Sequence, residues 1–467
     1  MLAIVAAALF PAAGQAGVIA ALSVEDPPTD SNPSVDFNVH VIDPLDATRT
    51  FPLPAAAVTP QVEEWPQLSG DASRLLLGRA GVSPGGAYTL LEVDRVAGTV
   101  ATVAIPSAAT PFEGTYGLSP DAHTIITTAL ALGNTTAGPP TAASATVFDS
   151  TAMPAGPLPQ VAAPQIDLPD PGQFSYARID VQGRPDVSNE RRYVWAVSGT
   201  TVAGFGGVPS TIDLITGTVG GQIRETPLPF VNGAIEPLEN PVLTPGNAST
   251  ITFDNGRSLL QAVLGATPTF KALQLPNVSF TVANETFPRW TSSGRYLAWI
   301  SRPSPPSAGA AVDTKIFVYD TQTQQLVRPD GRSVGSHEYA FGLTVAETPS
   351  VVASFALVPA KPITPSVNIP PNLAVDLVTT LRKPTSVGIL VERVAGTTKL
   401  LGRTVPRLKV VGRVPLGRHH KGANRIPWNG KVAGHRLTKG TYKITMRAIA
   451  ADGLPSDLSQ PVTLRVR

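Results

Sequence analysis

An all-β fold of many short strands is the fold class this sequence predicts, and three observations predict it. Gly 41 and Pro 47 in 467 residues, against 15% charged residues, suit short strands joined by tight turns, because both residues punctuate regular structure for backbone reasons. A strand–turn–strand unit returns along most of the chain. Beyond residue 372, apolar and polar residues alternate with period two, the pattern of half-buried strands. A chain of this length holds two or three domains at the usual ~100–200 residues each.

Taken in order, the first 22 residues, MLAIVAAALFPAAGQAGVIAAL, are uncharged and match the apolar stretch of a secretory leader with small residues after it. Gly14 and Ala16, or Ile19 and Ala21, would bracket the cleavage point. The expectation is a leader or a single membrane anchor at 1–22, and a secreted or cell-envelope protein. A leader normally opens on basic residues, however, and the first Lys or Arg is Arg49. A further reading is a buried amino-terminal strand; Pro11, Gly14 and Gln15 weaken a spanning helix of about 20 residues.

The repeat occupies residues 35–360. Its first half is a strand, a tight turn and a second strand, as in "WPQLSGDASRLLLG" from Trp65, "YGLSPDAHTIITTAL" from Tyr116, "ITFDNGRSLLQAVL" from Ile251 and "PRWTSSGRYLAWIS" from Pro288, with a diverged copy from Tyr176. Its second half is a hairpin around Asp43, Asp94, Asp149, Asp213 and Asp320. The steps from Asp43 to Asp94, Asp149 and Asp213 are 51, 55 and 64 residues, the length of four short strands with loops. Four-stranded antiparallel units at such a period predict a β-propeller. The chain opens on a hairpin (35–54) and closes the array on "EYAFGLT" and "PSVVASFALV". Joining these halves makes a sixth blade and leaves no open sheet edge. Six blades are expected, with seven as the alternative.

The unit "WTSSGRYLAWIS…KIFVYDTQTQQLV" resembles TolB-type, WD-repeat-like blades, whose pattern runs Trp-Ser-Pro-Asp-Gly, an apolar strand, then Ile-Tyr-Val-x-Asp. The resemblance covers about two thirds of the chain and implies the propeller fold. It implies no activity, since propellers serve as enzymes, scaffolds and receptors.

"KPITPSVNIPPN" at 361–372 reads as a proline-stiffened linker. The alternating strands of 373–467 predict a small β-sandwich. Within it, "GANRIPWNGKVAGHRLTKGTYKITMRAIAADG" resembles the Ig-like domain of the flagellar hook-capping family through Asn424, Trp428, Gly430, Gly434, Leu437, Gly440, Tyr442, Ala448 and Gly453; Asn429 stands where that family has Asp. The module implied is Ig-like, without a flagellar role.

The net charge of +2 hides a split. Residues 373–467 hold 18 Lys/Arg and 4 Asp/Glu, and residues 1–372 hold 18 and 30, so the parts carry +14 and −12. An anionic partner or mutual docking follows. The basic run "RTVPRLKVVGRVPLGRHHKGANR" gathers Arg403, Arg407, Lys409, Arg413, Arg418, Lys421 and Arg425, side chains able to hold phosphate or carboxylate; a solvated basic face explains it equally. Sparse aromatic residues nearby argue against nucleic acid and leave a protein or an envelope polymer as the expected partner.

Catalytic signatures are few. No cysteine is present, which removes disulfides, thiolate sites and a thiol nucleophile. No His-Glu-x-x-His pair, Gly-x-Ser-x-Gly elbow or phosphate-binding Gly-rich loop occurs, and "GFGGVPS" at 204–210 lacks the lysine and helix that such a loop needs. The repeated aspartates are expected to accept hydrogen bonds from their own turns. No catalytic residue, metal or cofactor is therefore expected. The leading expectation is a non-enzymatic binding or scaffold protein whose basic module attaches to an anionic envelope component. The alternative is a propeller hydrolase or lyase with a metal in its central channel.

Overall fold

A computed structural model of the chain describes residues 12–26, 36–46, 50–57, 63–79, 89–103, 112–132, 140–151, 160–162, 165–166, 176–181, 184–201, 211–227, 238–247, 249–265, 268–278, 280, 283–303, 313–336, 339–348, 352–359, 368–369, 375–400, 403–449, 455–459 and 461–466. Among them regular structure is strand, with one short 3-10 turn at Ala55–Ala57 and no α-helix. The chain divides into a larger compact unit, residues 20–44 and 50–346, and a smaller one, residues 1–19, 45–49 and 347–467. The loop at 204–210 and most of the expected linker lie outside the described residues.

The larger unit is a series of small antiparallel sheets. The first pairs Glu63–Leu68, Arg74–Arg79, Thr89–Asp94 and Thr99–Val103 in order. Phe112–Leu118, Thr124–Leu132 and Pro140–Asp149 lead the second, Asp186–Val187, Arg192–Thr201, Thr211–Thr218 and Arg224–Pro227 form the body of the third, and Glu239–Leu243, Thr250–Asp254, Leu259–Val263 and Thr269–Ala272 make the fourth. Ala283–Trp290, Tyr296–Pro303 and Asp313–Asp320 lead the fifth. A closing set joins Tyr339–Thr348 to residues 20–26, then Asp36–Ile42 and Thr50–Phe51.

Neighbouring sheets share apolar faces. In "RYVWAV", Tyr193, Trp195 and Val197 pack on Ile126 and Val147 of the second sheet, while Val194 and Ala196 pack on Ile251 and Phe253 of the fourth. Both faces are buried, so this strand reads as a continuous apolar run where a half-buried strand would alternate.

Two expectations need correction here. "PSVVASFALV" does not close the array: its strand Val352–Pro359 pairs with Val375–Leu381 in the smaller unit. The apolar amino-terminal run takes that place, with Ala20–Asp26 in register against Asp36–Ile42 and Val18–Leu22 almost fully buried. An uncharged apolar run suits a leader and a strand buried on both faces alike. "ITFDNGRSLLQAVL" is likewise shifted by one strand. The first turn of its sheet is Thr244–Asn247, before Ile251, and Asn255–Ser258 is the second.

The smaller unit has two layers. Val352–Pro359, Val375–Leu381 and Gly422–Trp428 form one; Thr385–Leu400, Arg403–His419, Gly440–Ile449 and Val462–Val466 form the other. Phe355, Leu377, Val391, Trp428, Tyr442 and Met446 meet between them in one core.

Candidate functional site

The repeated aspartates mostly serve their own turns. Asp94 Oδ1 accepts from the Val96 and Ala97 amides at 2.9 and 2.8 Å, Asp149 Oδ1 from Thr151 N at 2.9 Å, and Asp320 Oδ1 from Gln322 N at 2.9 Å. Asp213 departs from the pattern: it sits inside Thr211–Thr218, opposite Val197 and Pro227, and its turn comes later at Thr218–Gly221.

A different set of positions converges. The first strands of the first, fourth and fifth sheets each carry a bulge at Trp65, Asn240 and Phe287, with φ of 57°, 52° and 55°. Proline follows each of them, at 66, 241 and 288, and Arg184-Pro185 repeats the dipeptide in the third sheet. A bulge interrupts the ladder, so proline there removes no pairing that the strand needs. Gly342, with φ of 65°, marks the corresponding bend of the closing strand.

Two residues past these bends stand Gln67, Asp186, Val242, Arg289 and Thr344, and all five line one cavity of about 130 Å³. In the second sheet the same position is Gly117, where a Cβ would lie 2.6 Å from the Pro185 carbonyl oxygen, so only glycine fits. Ser188, Thr244 and Thr291, at the starts of the following turns, add hydroxyls to the cavity wall.

Behind this ring, Arg184 is wholly buried and donates from Nη1 to the Pro66 carbonyl and from Nη2 to the Leu343 carbonyl, both at 2.8 Å. It thereby ties the third sheet to the first and the closing strands. Its guanidinium lies 5.2 Å from the Trp65 ring centroid, and Trp65 packs on Phe287 and Phe341 at 6.0 and 5.5 Å. Buried charge–aromatic contacts of this kind are worth about 2 kcal/mol when desolvated.

Asp186 keeps some surface toward the cavity, and its Oδ2 accepts from Leu243 N at 2.9 Å. Burial raises its pKa above the ordinary carboxylate value, and the positive charge of Arg289 opposes the rise. Arg289 is 4% exposed; burial pulls its pKa down against the pull of Asp186 and Asp254. Its Nη1 donates to the Pro288 and Asn240 carbonyls at 3.0 and 3.4 Å, while Nη2 has no partner. Gln67 is 6% exposed, and its Nε2 also lacks a partner.

Two further acids lie buried on these strands. Asp254 accepts from Asn240 Nδ2 and the Phe287 amide at 3.0 and 2.9 Å, and burial pushes it up to about 7. Glu285 accepts from Ser301 Oγ at 3.0 Å, and burial pushes it up to about 8. A metal does not fit this donor set. Among the described residues no three His, Cys, Asp or Glu side chains stand together, and of the two acids that line the cavity, Asp186 and Glu190, Asp186 lies within the field of the Arg289 guanidinium.

The basic run of the smaller unit is divided. Arg403, Arg407, Lys409, Arg413 and Arg418 share the long strand Arg403–His419. Arg413 binds the buried Asp46 through Nε and Nη2 at 2.7 and 2.6 Å, and Arg447 reaches the same oxygen at 3.5 Å. Arg425 holds Asp376 at 2.6 and 2.5 Å. Arg407, Lys409, Arg418 and Lys421 are exposed, with Lys409 directly opposite Arg393. Arg413 and Arg425 thus hold acids of the same unit, and Arg407, Lys409, Arg418 and Lys421 face solvent.

No protein-family model and no curated protein matches the chain. Among solved structures it is similar to an oligogalacturonate lyase in complex with manganese, at 13% identity over 67% of this chain and 73% of that one, TM-score 0.35. It is similar also to an oligogalacturonate lyase from Vibrio parahaemolyticus (9% identity, 68% and 79% covered, TM-score 0.34) and to a prolyl endopeptidase (12%, 78% and 53%, TM-score 0.35). These are propeller-type proteins, and the small antiparallel sheets of this chain form a β-propeller-like fold.

The expectation of a non-enzymatic scaffold is corrected at this point. The neighbours are enzymes, and the absence of a catalytic sequence motif, on which that expectation rested, is no argument in a fold whose site residues come from separate sheets.

Proposed function

We propose that the larger unit is a six-bladed propeller whose central channel is the active site of a lyase or hydrolase. The carrying observation is the ring itself: Gln67, Asp186, Arg289 and Thr344, from four sheets and one repeat position, line a single cavity. The TolB-type turns and the closing strands of residues 20–26 and 339–348 support the blade count, and the two-layered smaller unit supports an Ig-like module. Asp186 is the proton-transferring group, because a carboxyl raised by burial can take a proton from carbon or water and return it to a leaving oxygen. Arg289, whose charge acts on Asp186, stabilises negative charge that develops on the substrate. The reading uses no metal.

The test is a panel of polysaccharide, ester and peptide substrates, followed by new double bonds, reducing ends or released acid. Turnover on one class, lowered in Asp186→Asn by about 100-fold or more in kcat with little change in KM, is the expected result. Turnover indifferent to Asp186→Asn, or none on any class, overturns it.

A further inference from the structure

A bulge frees an amide from its ladder, and a buried amide then needs another acceptor. Two of the three bulged strands meet that need with a side chain from another sheet. The Trp65 amide donates to Ser23 Oγ at 3.0 Å, and the Phe287 amide donates to Asp254 Oδ2 at 2.9 Å. Ser23 belongs to the closing strand of residues 20–26, and Asp254 ends Thr250–Asp254 of the fourth sheet. Both are wholly buried. A hydroxyl therefore suffices to hold such a bulge, and a buried carboxylate in the same role costs far more desolvation.

The difference lies two residues further on. The bulge held by Ser23 leads to the neutral Gln67, and the bulge held by Asp254 leads to Arg289. Asp254 bears on Arg289 in three ways. It fixes the Phe287 amide on Arg289's own strand. It accepts from Asn240 Nδ2 at 3.0 Å, and the Asn240 carbonyl accepts from Arg289 Nη1 at 3.4 Å. Its charge also supports that of Arg289, which lies in the field of both Asp186 and Asp254.

Resting on the channel reading above, we infer that Asp254 is the positioning residue of the site: its carboxylate fixes the Arg289 guanidinium, and with it the positive charge that acts on Asp186. Asp254 itself lies outside the cavity lining. The hold is complete where Asp254 is ionised, which burial delays to above about 7. The charged groups set against it are Glu239, opposite it on the paired strand, which opposes its ionisation, and Arg289 from the fifth sheet.

The test follows the Arg289 guanidinium by NMR of the full chain with labelled arginine, its nitrogens detected through Cζ and assigned by their loss in Arg289→Lys. At pH 8.5 a held guanidinium gives two separate Nη signals, and these should merge as the pH falls through about 7. This step is read on the parent and needs no variant. Asp254→Asn keeps an oxygen for the Phe287 amide and removes the charge. Its Nη signals should be merged from pH 6 to 8.5, although it unfolds at no lower urea concentration than the parent at pH 8.5. On the substrate class turned over, it should lower kcat at least tenfold and change KM less than twofold. Signals that stay separate in Asp254→Asn, or a parent without the pH step, overturn the inference. Merged signals in Asp254→Asn without turnover on any substrate would sink the enzyme reading alone. Turnover that depends on Asp186 and is indifferent to Asp254→Asn would sink the positioning role alone.

Discussion

In the larger unit Arg184 and Arg289 are almost wholly buried and stand 105 positions apart in the sequence; in the smaller unit Arg407, Lys409, Arg418 and Lys421 crowd into one stretch and face solvent. The density of charge along the chain favours the second group as a site, and the physical environment favours the first. An exposed cation is hydrated whether or not a ligand comes. A buried one must be held by fixed partners, so its direction is set in advance.

The largest effect that separates the two regions is on stability. Arg289→Met removes the buried hydrogen bonds to the Pro288 and Asn240 carbonyls and the positive charge that acts on Asp186, a loss of about 2 kcal/mol or more. Urea unfolding at pH 7, followed by tryptophan fluorescence, measures it. A loss under about 1 kcal/mol would place Arg289 with the solvated cations and erase the contrast.

The next effect is on pH. Glu285 keeps its proton in the folded chain up to about 8, whereas the unfolded chain releases it near 4.5. The folded state therefore binds more protons across that window. The stability that this group contributes is complete below about 4.5 and is lost as the pH climbs toward 8; Asp254 adds the same sign between 3.8 and about 7. Glu285→Gln retains an acceptor for Ser301 and removes the titration. Variant and parent should be equally stable near pH 5, and the variant more stable at pH 8.5 by the order of a few kcal/mol. A difference between them that does not change from pH 5 to 8.5 would mean that these strands are hydrated like the exposed one.

Much of the fold was legible in the residues. Turns such as Ser69–Arg74 and Thr291–Tyr296 carry their own hydrogen-bonding side chains, so the repeat they punctuate can be read locally. The amino-terminal strand was legible only as one reading beside a leader, because residues 18–22 are apolar on both faces and carry no period to tell the two apart. The ring was not legible. Gln67, Asp186, Arg289 and Thr344 share no spacing motif, and the residue at their position is glycine or valine in the remaining sheets. One signal could have found them: a bulky or polar residue before proline, in Trp65-Pro66, Arg184-Pro185, Asn240-Pro241 and Phe287-Pro288, with the proline three residues before the Ser or Thr that opens each turn.

The smallest effect belongs to the exposed run, and its sign is informative. Lys409 lies directly opposite Arg393 on the paired strand, and like charges so placed repel. Lys409→Ala therefore should leave the smaller unit unchanged or stabilise it by up to about 0.5 kcal/mol at low salt. Near 1 M salt, where screening acts within about 3 Å, the gain should vanish. A loss above about 1 kcal/mol that persists in high salt would show that this strand holds a fixed partner, as the buried arginines of the larger unit do. The unfolding midpoint of parent and variant at the two salt concentrations decides it, because only a desolvated charge keeps its contribution when the solvent screens the rest.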